Sequence, residues 1–145
     1  MRIWKSELSL DQVNGWHNTM VEHIGIVVTE IGDDYVRGTM PVDARTHQPY
    51  GLLHGGASVA LAETLGSLGA MMCADAKTHL AVGLDINANH LRGVTDGIVT
   101  GTARAIHVGR TTQVWEIRIE DENGKLVCIS RLTLAVVPRQ APGAA

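Results

Sequence analysis

Apolar positions follow two rhythms along this chain and divide it into three parts. Between residues 24 and 42, two apolar runs, IGIVVTEI and YVRGTMPV, flank Gly32-Asp33-Asp34, a pattern that predicts a hairpin. From Gly55 to Ala74 the chain is apolar without alternation and rich in Ala, Leu, Gly and Met, which predicts one long helix. Four extended runs follow, over residues 79–91, 98–107, 111–120 and 125–137, with turn signals at 93–97, at Gly109 and at Glu122-Asn123-Gly124. In VWEIRIE the alternation is clear: Trp115, Ile117 and Ile119 share one face, and Val114, Glu116, Arg118 and Glu120 the other. Upstream, Ser9 reads as the cap of a short helix over LDQVNGW that Gly15 ends, with a second helical piece over residues 19–23.

Hairpin, long helix and antiparallel meander in that order describe an α+β domain, a curled sheet against one central helix. At 145 residues the chain has the length of one domain that needs no disulfide or metal to hold its core. We assign residues 1–137 to it and PRQAPGAA, 138–145, to a flexible tail. The composition is 45% hydrophobic without a single Phe, so Val, Ile, Leu, Ala and Met must build the core. A net charge of −3 and scattered Lys and Arg argue against nucleic acid as a partner. Cys73 and Cys128 form no CxxC and signal neither a disulfide framework nor zinc; they read as small buried hydrophobes in a reducing cytosol. MRIWKSELSL lacks the features of a signal peptide, which points to the cytoplasm. The long apolar segment carries Glu63, Ser58, Thr64 and Ser67, which argues against a membrane span.

Chemistry concentrates in HGGASVALAETLGS, residues 54–67. Glu63 is the only charged side chain between Gly55 and Ala74. A carboxylate among apolar neighbours is costly to ionise, which suits a general base or nucleophile. Gly55 stands at the helix N-terminus, where unpaired N–H groups and the positive end of the dipole favour a developing oxyanion. Ser67, four residues beyond Glu63, shares its face and is placed to orient the carboxylate or a water. Gln48 and His54 precede the helix as hydrogen-bond donors. Each residue also admits a plainer account as cap, surface or packing residue; the joint arrangement carries the signal. Eight residues put Gly55 roughly 12 Å from Glu63 along a helix, whereas a reacting carbonyl needs both within about 3 Å. Two such helices antiparallel about a two-fold axis bring Gly55 of one chain to Glu63 of the other, so the spacing predicts a dimer with two shared sites.

RTHQPYGLLHGGASVALAETLGS at 45–67, GLDINANHLR at 83–92 and HVGRTTQVWEI at 107–117 together resemble the hotdog-fold acyl-CoA thioesterases, nearest the clade of 4-hydroxybenzoyl-CoA and 1,4-dihydroxy-2-naphthoyl-CoA thioesterases. The resemblance runs from about Ile3 to Val137 and implies hydrolysis of an acyl-CoA, with an aromatic acyl group favoured by the clade. It implies Glu63 as the catalytic carboxylate, nucleophile or general base. Gly55 becomes the oxyanion donor, with Gln48, His54 and Ser67 in support. Val82 and Gly83 lie beside the acyl and pantetheine path, and His90, Arg92, Gly109 and Arg110 meet the coenzyme A nucleotide. Guanidinium groups suit that last task because they match phosphate geometry. Leu68, Met71 and Met72 are the side chains we expect to line an aryl or alkyl slot. A dimer of dimers is implied, and no metal or cofactor beyond the coenzyme A of the substrate. Two other readings share the fold: a dehydratase acting on 3-hydroxyacyl thioesters, and a module that binds acyl-CoA without cleaving it.

Overall fold

In the computed structural model, which describes residues 1–140, local hydrogen bonds start the first elements as their residue types demand. The Ser9 hydroxyl accepts the Gln12 N–H at 3.2 Å and the Gln12 side chain accepts the Ser9 N–H at 2.9 Å, a reciprocal cap that opens α1 (Leu10–Asn14). Thr19 caps α2 (Met20–His23) through its own hydroxyl, which accepts the Glu22 N–H. Ile24 closes α2 and Gly25 takes φ +77°, so the first strand begins later than the apolar run suggests. β1 (Val27–Ile31) and β2 (Tyr35–Pro41) pair antiparallel through the turn at 32–34.

The long helix α3 (Gly55–Cys73) is followed by β3 (His79–His90), β4 (Ile98–Val108), β5 (Thr112–Glu120) and β6 (Leu126–Pro138). All six strands form one antiparallel sheet in the order β1-β2-β4-β5-β6-β3. β2 to β6 all pack on α3, which gives the curled sheet around a central helix of the hotdog architecture. By length and composition α3 could cross a bilayer, but the sheet buries most of it.

Missing side chains set how helix and sheet interlock. Gly38 of β2 and Gly101 of β4 are register partners, and a Cβ on either would come within 2.8 Å of Leu65. Leu65 thus fills a hollow in the sheet. In the opposite sense Trp115 of β5 enters a hollow in the helix: a Cβ on Gly69 would sit 2.6 Å from its ring. With no Phe available, this indole is the largest fully buried side chain. Gln113, buried beside it, accepts the Trp115 Nε1–H at 3.0 Å and donates to the Ala70 carbonyl at 3.2 Å, so both buried polar groups are satisfied.

β3 is an edge strand, paired only with β6, and its register slips between Gly83 and Asp85. Pro138 closes β6, and Arg139 donates from its backbone to Thr78 at 2.8 Å and from Nε to Ala76 at 2.7 Å. The chain is therefore tied down past residue 138, where the sequence suggests a tail begins. The rest of that expected tail, from 141, lies outside the described residues.

Candidate active site

One stripe of α3 is left uncovered by its own sheet: Ala60, Glu63, Thr64, Ser67 and Met71 are half-buried, while Leu61, Ala62, Leu65, Gly66 and Leu68 are buried. Those spacings of three and four residues define a single face. A mainly apolar cavity of about 410 Å³ opens there, walled by that face, by Leu68 and Ala81, and by Trp16, Met20 and Val21 of the N-terminal segment. Glu63 is the sole charged residue in its lining. One expectation changes, at Met72. Among the described residues, no hydrogen bond joins Ser67 to Glu63. Met72 is fully buried and faces away, whereas Met71 and Leu68 line the cavity.

At the helix N-terminus a second cavity of about 370 Å³ gathers Gln48, Gly55, Ser58, His90 and Arg92. His54 is the N-cap residue, and its Nδ1 accepts the Gly56 N–H at 2.8 Å. A neutral imidazole that accepts at Nδ1 carries its proton on Nε2, so its outer edge is a donor. The Gly55 N–H has no partner among the described residues. Gln48 is held by a tight loop in which its Oε1 accepts the Tyr50 N–H, leaving the amide NH₂ as a donor. The ring of His90 lies against Gly55, 2.7 Å from where a Cβ would be.

A third cavity of about 370 Å³, at the other end of α3, holds Gly109 and Arg110 beside Lys5, Asp75 and His79. One chain thus separates the predicted residues into three groups: Glu63 with Ser67, the donors with His90 and Arg92, and Gly109 with Arg110. Val82 stands on the exposed face of β3, and Gly83 backs directly onto Glu63. No group of three His, Cys, Asp or Glu among the described residues could hold a metal ion.

Residues 50–128 match the family model described as thioesterase superfamily. The proofreading thioesterase EntH of Cronobacter sakazakii is 52% identical over 93% of this chain and 98% of its own. The chain belongs to the thioesterase superfamily. A mutant of thioesterase PA1618 from Pseudomonas aeruginosa superposes with a TM-score of 0.93 at 51% identity, covering 94% of this chain and 99% of that one. A mutant of thioesterase SAV0944 from Staphylococcus aureus gives 0.79 at 39% identity over 82% and 98%. This thioesterase is accordingly a thioester hydrolase of hotdog fold.

The two thiols of the thioesterase are poorly placed for chemistry. Both cysteines are free and buried; burial pushes the Cys73 thiol up to about 11 and raises that of Cys128, so neither supplies thiolate near neutrality. Arg37, Arg45 and Arg104 are tied to acidic partners, whereas Arg92 and Arg110 form no salt bridge among the described residues. Sequence reasoning missed Trp16, Met20 and Val21. Their only sequence signal was large apolar residues in a short, polar helical segment.

Proposed function

We propose that this thioesterase hydrolyses acyl-CoA, preferring aromatic acyl groups, with Glu63 as the catalytic carboxylate. One observation carries the reading: among the described residues Glu63 is the only charged side chain lining a mainly apolar cavity, on the uncovered face of the central helix. A flat indole at Trp16 and thioethers at Met20 and Met71 suit an aryl group. The mutant crystal structures of SAV0944 replace a Gln and a Glu that are fifteen positions apart, the separation of Gln48 and Glu63 here. That coincidence supports both assignments.

In this reading the thioester carbonyl oxygen accepts the free Gly55 N–H, assisted by His54 Nε2 and the Gln48 amide. Each such donor contributes about 10²–10³ in rate when the oxyanion develops. Glu63 either attacks the carbonyl carbon, expelling the thiolate and leaving an anhydride that water cleaves, or removes a proton from the attacking water. Both routes break the C–S bond and yield the free acid and coenzyme A. A single turnover in isotopically labelled water distinguishes them, because only the anhydride route can carry an unlabelled Glu63 oxygen into the product.

Donors and carboxylate occupy different cavities within one chain, so the reading includes a dimer whose α3 helices run antiparallel and share two sites, paired again into a tetramer. The unpaired edge of β3, with exposed Leu80, Val82 and Leu84, favours such an arrangement. The same antiparallel packing brings Arg110 of one chain toward His90 and Arg92 of the other, a cationic surface for the coenzyme A phosphates. The buried free thiols suit a cytoplasmic enzyme. The test is thiol release from benzoyl-, hydroxybenzoyl-, dihydroxynaphthoyl- and alkyl-CoA, with Glu63→Ala as control. We expect aryl-CoA turnover that Glu63→Ala lowers by about 10² or more; turnover near the unmodified level in that variant refutes the assignment.

A further inference from the structure

Along β3 the residues that pack on the core are Ala81, Ile86 and Ala88. A strand's period of two that turns Ala81 inward also turns Gly83 inward, but Ile86 and Ala88 need the opposite phase. The phase changes between Gly83 and Asp85, where the pairing with β6 slips. Gly83, itself exposed, is therefore the last residue before the bulge whose absent side chain would point toward α3, where it meets Glu63.

A Cβ built on Gly83 would overlap Glu63 Oε1, and within 4 Å it would meet only Glu63 atoms. Nothing in the backbone calls for glycine there: its φ is not among the positive values of this chain. Glycine inside a strand weakens it relative to Ala, so the residue is explained by the space it leaves. Among the described residues the Glu63 carboxylate has no hydrogen-bond or salt-bridge partner. Its location is set by packing alone.

We infer that Gly83 is a positioning residue for the reaction: its bare backbone is the seat of the Glu63 carboxylate, and the bulge after it fixes where that seat lies against α3. The inference rests on the proposed role of Glu63. The atom in the way of a Cβ is the end of a flexible side chain, so Gly83→Ala leaves the fold standing and moves the carboxylate. A displacement near 1 Å is enough to cost about 10² in rate.

The experiment measures kcat and KM for benzoyl-CoA, with thermal unfolding alongside, in Gly83→Ala, Glu63→Asp, Glu63→Ala and the double variant Gly83→Ala/Glu63→Asp. We expect Gly83→Ala to lower kcat by about 10- to 100-fold with KM within about threefold. An aspartate, one methylene shorter than Glu63, should not reach across residue 83, so adding Gly83→Ala to Glu63→Asp should change kcat by less than about threefold. Unchanged kcat in Gly83→Ala, a loss confined to KM, a full additive loss in the double variant, or failure of Gly83→Ala to fold each overturns the inference. Near-normal turnover in Glu63→Ala instead overturns the catalytic assignment beneath it.

Discussion

Met71 and Met72 are neighbours in the chain, and the helix turns them about 100° apart, so Met71 walls the Glu63 cavity while Met72 is sealed in the core. The same geometry let spacing alone put Glu63 and Ser67 on one face and Gly55 at the helix start, since all three ride one rigid helix. Trp16 was not legible, because its place beside Glu63 depends on how a segment far away in sequence folds back. Trp16 is 45% exposed in the single chain and closes one side of the cavity. Replacing it with Ala should lower kcat/KM for benzoyl-CoA by about 10-fold relative to a long alkyl-CoA, measured by competition between the two substrates. Equal loss for both would mean that Trp16 has no part in choosing the acyl group.

At the scale of elements, the order hairpin, helix, meander followed directly from where alternation stops and resumes. The strand faces followed too: Trp115, Ile117 and Ile119 are all buried. The phase change in β3 had no sequence marker, since Val82, Gly83 and Leu84 fit a regular strand as well as a bulged one. The interlock of helix and sheet was half visible, with Gly66 and Gly69 readable as packing devices but the partner that fills the hollow unknown. Trp115 fills the hollow at Gly69, and Leu132 the one at Gly66. Gly69→Ala should therefore destabilise the protein by about 1–3 kcal/mol through overpacking, read as a lowered denaturant midpoint with an unchanged slope. No loss would show that Trp115 can shift freely, and with it the buried bonds through Gln113.

On the scale of the whole molecule, the proposed mechanism calls for a second chain because Gly55 and Glu63 lie too far apart on one helix. The fold gives that distance a form, with two cavities separately built and separately lined. If each site draws Glu63 from one protomer and Gln48 with Gly55 from its partner, two inactive proteins can restore each other. Glu63→Ala and Gln48→Ala, each nearly inactive by itself, should regain activity when unfolded together and refolded as a mixture. Random pairing gives one doubly damaged and one intact site in every mixed dimer, so about a quarter of all sites recover. In a cell carrying two defective copies of this gene, whether the two mutations strike opposite halves of the shared site would then decide if the function survives.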